Sequence, residues 1–256
     1  MTTLQGLSHT SSSVRLQAAL AIGTHPDTGY VDSLVARCAI EPDFYVRDML
    51  TWALTRHPAA LTVPRLIAEL RDERAQARSQ ALHTLSKIGD RAAWPAITHA
   101  LLTDADDQVA RTAWRTAVAL APDAPDAPDA PGAPSAPSAP DGADSGADGA
   151  DGADGGADGA DGGADGADER AALAAVLATQ LGRGDRETQL SLSRALVALG
   201  DTIEQVLHAA ANNRDVRVRR HAAATARLLR DPDAAFELGV EEAKRVFALG
   251  PTGQEA

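Results

Sequence analysis

At 256 residues with 44% apolar side chains, the chain can bury a sizeable core, and nowhere do 18 apolar residues run together, which argues against a helical membrane span. The formal charge of −12 suggests an acidic protein. Yet twelve of its 36 acidic residues fall within residues 121–168, which hold no Lys or Arg; the 24 that remain balance 24 basic residues, so the rest of the chain is neutral and offers no strongly cationic surface for nucleic acid.

In chain order, Leu4 and Leu7 are expected to face inward from a short first helix, and Ser11, Ser12 and Ser13 offer N-cap oxygens to a helix beginning near Val14. That helix carries Val14-Arg15 with Ala18, Ala19 and Ile22. The same arrangement returns as Val46-Arg47 with Leu50 and Leu54, as Ala77-Arg78 with Ala81, Leu82, Leu85 and Ile88, and as Val109 with Ala113, Trp114 and Ala117. Each set is one stripe of an α-helix, and Gly89 is placed to end the third. The starts at 14, 46, 77 and 109 are spaced 32, 31 and 32 apart. A period near 31 with this helical content reads as a solenoid, because one such unit has too little apolar area to fold alone.

Each of these helices has a partner before it. The spacing predicts pairs over 28–40 with 45–56, 63–70 with 77–88, and 94–102 with 108–120; Pro64 and Pro95, tolerated in a first helical turn, mark the starts of two first helices. Trp94 and Trp114 occupy core offsets. Cys38, the only cysteine, excludes an internal disulfide and a thiolate metal site, and with Leu34, Val35 and Ala39 around it reads as a small buried hydrophobe.

Three regions follow: repeats one to four over 1–120, an Ala/Pro/Gly/Asp segment over 121–168, and repeats five and six with a capping helix over 169–250. The middle segment has no Leu, aromatic or β-branched residue and is expected to be disordered, since it cannot bury enough apolar surface to offset ordering entropy. Beyond it Leu173, Val176, Leu177 and Leu181 pair with Thr188, Leu192, Leu196 and Leu199; Ile203, Val206 and Leu207 pair with Val218, Ala222, Ala223, Ala226 and Leu229; and Asp231-Pro232 opens a last helix with Phe236, Val240, Ala243 and Phe247. The step from Val109 to Thr188 is 79, and removing the 48 residues of 121–168 leaves 31, so the second block is expected to continue the first.

The pattern Asp-x-x-Val-Arg followed by small or apolar residues and a closing Leu-x-x-x-Gly, clearest at Asp43–Arg47 and Asp215–Arg219, resembles the HEAT repeat, particularly its short bacterial HEAT-like form. The resemblance implies an all-α, right-handed α-α superhelix of about six helix pairs. It also implies a ladder of turn aspartate and arginine in which Asp43, Arg15, Arg47, Arg78 and Arg219 take part, interrupted where Ala110 and Gln189 replace the arginine. Such arrays mostly bind other macromolecules along a concave face lined by second helices, which implies a non-catalytic scaffold for a protein partner, without a cofactor. On that face the outward column would be Leu20, Trp52, His83, Arg115, Arg194 and Ala224, flanked by Met49, Arg56, Lys87 and Arg111. Trp52 is the expected anchor, with cations as its rim.

The alternative is a DNA-interacting HEAT protein, either an accessory module of a transcriptional regulator or a relative of the HEAT-like alkylpurine DNA glycosylases, for which Asp48 and Trp52 form a carboxylate–aromatic pair. The run Arg214, Arg217, Arg219, Arg220, His221, Arg227 and Arg230 offers contacts to phosphates, contacts to the chain's own aspartate-rich segment, or a solvated face. HEAT-like phycobilin lyases are a further relative, though nothing here specifies a bilin pocket. The seven histidines show no close pairing, so no metal site is expected, and the absence of a basic, apolar leader makes the cytoplasm the expected location.

Overall fold

The computed structural model describes residues 3–122 and 162–231, all of whose regular elements are helical. They form α1 (Thr3–Leu7), α2 (Ser12–Thr24), α3 (Val31–Cys38), α4 (Phe44–Thr55), α5 (Ala59–Glu69), α6 (Ala75–Ile88), α7 (His99–Leu102), α8 (Asp107–Leu120), α9 (Gly162–Ala178), α10 (Arg186–Val197), α11 (Glu204–Ala211) and α12 (Val216–Arg230). Each second helix packs on the next, from α2 through α4, α6, α8 and α10 to α12; α3 touches α5, α7 touches α9, and α9 touches α11. This is the stacking that a 31-residue apolar period requires.

The turns explain why the helices begin where they do. Asp43, Asp106, Asp185 and Asp215 each cap the second helix that follows, accepting backbone N–H groups such as Val46 at 3.1 Å and Thr188 at 2.8 Å. Gly89 ends α6 at a φ of 74°, a left-handed cap that suits a residue without a β-carbon. Ser11 stands at the N-cap of α2, but its side chain makes no capping bond, contrary to expectation.

Three boundaries also differ. Pro64 lies inside α5, which starts earlier behind Pro58; the proline costs the bond to the Ala60 carbonyl, and exposed Ala60 leaves that oxygen to water. The first helix of the fourth repeat is broken: Arg91–Ala96 is 3₁₀, holding Pro95, and the chain leaves helical geometry at Ile97 before α7. Helix α9 begins at Gly162, seven positions before the expected resumption at Glu169. The apolar stripe that predicted the start is needed only where α9 is covered, and Asp168 and Glu169 suit an N-terminal half. Residues 123–161 and the last helix expected beyond Asp231 lie outside the described residues.

One continuous cluster of buried side chains runs from Leu7 to Ala222 and includes Ile22, Leu34, Leu54, Leu82, Trp114, Leu177 and Leu196. Leu7 is buried as expected, whereas Leu4, in the first turn of this five-residue helix, is 41% exposed. Trp114 is fully enclosed and donates to the Leu102 carbonyl at 2.8 Å; Trp94 is half-buried and donates to Glu169 Oε2 at 3.1 Å.

Between second helices runs a line of buried hydroxyls: Thr51 with Thr84 at 3.4 Å, Ser79 with Thr112 at 3.2 Å, Thr116 to the Leu82 carbonyl at 3.0 Å, and Ser193 with Thr225 at 2.7 Å. Small polar side chains let the helices approach closely while every hydroxyl keeps a partner.

The expected ladder has a different acceptor. Arg15, Arg47, Arg78 and Arg219 each donate through Nη1 to the carbonyls five and six residues back in the turn before their own helix, at 2.8–2.9 Å. The carboxylates that meet them come from the next turn: Glu41 accepts from Arg15 at 2.7 Å and Asp104 from Arg78 at 3.0 Å, whereas Asp43 is used by its own helix. Where Ala110 replaces the arginine, Arg183 of the fifth repeat donates to the Asp104 carbonyl instead, and Gln189 donates to the Gly184 carbonyl at 3.1 Å. The turn carbonyls are therefore capped even where the motif lapses.

Candidate protein-binding cleft

Three successive second helices open a cleft of about 640 Å³. Phe44, Arg47 and Asp48 line it from α4; Ala75, Gln76, Ser79, Gln80 and His83 from α6; and Asp106, Gln108, Thr112 and Arg115 from the start and body of α8. The small residues Ala75, Ser79 and Thr112 form the part nearest the helix contacts, which leaves room above them. Asp106 spends its carboxylate capping Gln108 at 2.9 Å and Val109 at 3.1 Å. Gln76 is likewise occupied, donating to the Cys38 and Glu41 carbonyls.

The residues expected on this face divide. His83 and Arg115 enter the cleft together. Burial, with Lys87 and Arg115 nearby, pushes the His83 pKa below its ordinary value against the pull of Asp48, so the ring is neutral at neutral pH. Burial and the neighbouring Arg111 also lower the Arg115 pKa, and no acidic group among the described residues pairs with it. Arg111 is held by Glu187 of α10. Lys87, Arg56 and Arg194 are exposed on their helices but outside the cleft lining.

Trp52 and Met49 are half-buried against the core. The Trp52 ring folds back over α2, where a β-carbon at Gly23 would come within 2.2 Å of it; the glycine is what allows this approach. Leu20 is 46% exposed, as the outward column requires, but Ala224 is buried with Leu228 against Leu190 and Val197, so the column does not run outward to its end.

Sequence reasoning missed Phe44 and Tyr45. They are 66% and 74% exposed, with ring centroids 5.6 Å apart edge to face, and the Arg47 guanidinium lies 6.0 Å from the Phe44 centroid. The available signal was two aromatics directly after the capping Asp43, a place where the first turn faces out. Nearby Ile40 is 55% exposed, giving this corner an unusual density of uncovered apolar side chains.

Buried titratable groups elsewhere serve packing. Burial pushes the Cys38 thiol up to about 12, leaving it an inert protonated side chain. His221, expected within a basic run, is fully buried: it accepts from the Gly182 N–H at Nδ1, so Nε2 carries the proton and meets the Gln189 carbonyl and Ser193 Oγ, each at 2.9 Å. Burial lowers its pKa to about 4. A ring that already holds its Nε2 proton, sealed from solvent, cannot act as base toward Ser193. Among the described residues no three His, Cys, Asp or Glu side chains gather as metal ligands, and no helix is long and apolar enough to cross a membrane.

Two engineered proteins solved by the Northeast Structural Genomics Consortium are similar in structure. One is 18% identical with a TM-score of 0.42, covering 89% of this chain and 95% of that one; the other is 15% identical with a TM-score of 0.43, covering 91% and 98%. A designed armadillo repeat protein is 13% identical with a TM-score of 0.41, covering 89% and 98%. No curated protein matches the sequence. The family model described as HEAT repeats matches residues 33–119, which span α3 to α8 and the whole cleft. The same helix pair and turn chemistry recur on both sides of that match, so the described helices form a HEAT-like repeat array.

Proposed function

We propose that this protein is a non-catalytic, cytoplasmic HEAT-repeat scaffold that holds a protein partner in the cleft across α4, α6 and α8, with 1–120 and 169–250 acting as one array. The observation that carries the reading is the cleft itself, where an exposed aromatic pair borders a groove containing a guanidinium without an acidic partner. Desolvated aromatic and arginine side chains are the residue types that dominate protein interfaces. His83 and Arg115 remain in the proposed contact set with Phe44 and Tyr45 added; Met49 and Trp52 support its wall, and Arg56, Lys87, Arg111 and Arg194 form its wider rim.

Affinity capture with quantitative mass spectrometry tests this by comparing wild type with the double variant Phe44→Ala, Arg115→Glu and with Ala36→Arg, an exposed change on α3. The expected result is a set of proteins lost from the double variant and retained by Ala36→Arg. Equal capture by all three folded proteins overturns the cleft assignment.

A further inference from the structure

We propose, building on the cleft assignment above, that the partner presents an extended acidic segment: a carboxylate side chain that pairs with Arg115 and a large apolar side chain that seats against Phe44, on the same short stretch of chain. The charges around the cleft are distributed unevenly. At the α4 end lies Asp48, beside His83; Asp106 is spent on its own helix N-terminus. At the α8 end Arg115 stands with Lys87 one turn beyond His83; Glu187 is taken by Arg111, and Asp185 caps its own helix. An exposed guanidinium without an acidic partner in that position is completed by a carboxylate, which its planar fork matches in two parallel hydrogen bonds.

The opposite end asks for the other chemistry. Phe44 turns an exposed ring toward the groove, with Arg47 stacked on it and Arg47's Nη1 held by the Glu41 and Pro42 carbonyls. An arginine so fixed stiffens the ring, and a stiff exposed ring favours an apolar side chain over a charged one.

Spacing follows from the helices. Neighbouring axes lie roughly 8–10 Å apart, so α4 to α8 is about 16–20 Å. Arg115 lies eight residues into α8 whereas Phe44 begins α4, which adds about 12 Å along the axes and makes the span about 20–23 Å. Extended chain covers roughly 3.3–3.6 Å per residue, which places the acidic and apolar side chains about six to seven positions apart. Gln80, whose side-chain amide makes no hydrogen bond among the described residues, sits between them, where an amide can pair with peptide backbone. The chain's own residues 123–161 supply aspartates but no Leu, Ile, Val, Met or aromatic residue, so they lack the second determinant.

Phage display of random twelve-residue peptides on the full-length protein, followed by fluorescence anisotropy with the enriched peptides, tests the assignment. The expected motif is Asp or Glu about six or seven positions from Leu, Ile, Met or Phe. Changing that acid to its amide, or Arg115→Gln in the protein, weakens binding at least about tenfold, and the second change adds little once the first is made. Enriched peptides that need Phe44 but are basic or uncharged overturn the acidic class while leaving the cleft assignment standing. Peptides that bind Phe44→Ala, Arg115→Gln as well as wild type overturn both. A synthetic peptide of residues 121–132 that binds as tightly as the enriched sequences overturns the assignment to a foreign segment.

Discussion

The junction between the first two repeats and the one that bridges residues 123–161 join similar surfaces with different groups. At the first, Glu41 is fully buried and meets Arg15 and Arg37, each at 2.7 Å, with the Asp43 N–H at 2.9 Å. Burial by itself would raise its pKa, but the hydrogen bonds from Arg15, the Asp43 N–H and Arg37 outweigh that and hold it at about 2. At the second, the polar links include Arg111 with Glu187, Arg183 with Asp107 and the Asp104 carbonyl, and Trp94 with Glu169; the Glu187 and Asp107 side chains are 71% and 47% exposed. Water screens those pairs, so α8 and α10 are held mainly by the apolar seam. The difference teaches that repeat stacking depends on burying the seam and capping the turn carbonyls, while the polar groups at each junction can vary.

Breaking the buried junction has the largest expected effect. Glu41→Ala leaves two guanidiniums without their acceptor in a closed site and is expected to cost about 3–5 kcal/mol in urea unfolding. Next comes the sixth repeat: His221→Leu strands the buried Gly182 N–H and removes one partner each from the Ser193 hydroxyl, which keeps Thr225, and the Gln189 carbonyl, at about 1–3 kcal/mol by the same measurement.

The two sites also respond to acid over different ranges. As pH falls from 6.5 to about 4 the unfolded chain takes up a proton at residue 221 that the fold refuses, so stability declines there by on the order of 3 kcal/mol. From 4.5 down to about 2 the same happens at Glu41, whose lowered pKa stabilises the fold fully only above 4.5. Stability curves across pH are expected to lose the upper slope in His221→Gln and keep the lower one. At the bridging junction, Glu187→Gln is expected to change stability by less than about 1 kcal/mol, and an effect as large as that of Glu41→Ala would erase the contrast.

Much of this architecture could be read from apolar spacing. The repeat period, the buried Trp114, the stop at Gly89 and the inert Cys38 follow from one stripe recurring every 31 residues. What spacing did not reveal depends on third neighbours. Pro64 sits mid-helix because exposed Ala60 tolerates a lost bond, and Trp52 turns inward because Gly23, 29 positions earlier, leaves it a slot. The hydroxyl line from Thr51 to Thr225 leaves no apolar signal in the sequence, because only the helix contacts give each oxygen its partner. Within the cleft His83 and Arg115 were visible as outward positions, but Phe44 was not, since an aromatic beside a cap gives no sign of which way it faces.

The proposed single array is tested most directly by cutting the chain once at a protease site introduced within residues 123–161 and passing the product over a gel-filtration column at micromolar concentration. A seam shared by α8 and α10 predicts that the two fragments elute together at the volume of the uncut protein. Fragments that elute separately, each still folded by circular dichroism, would contradict it.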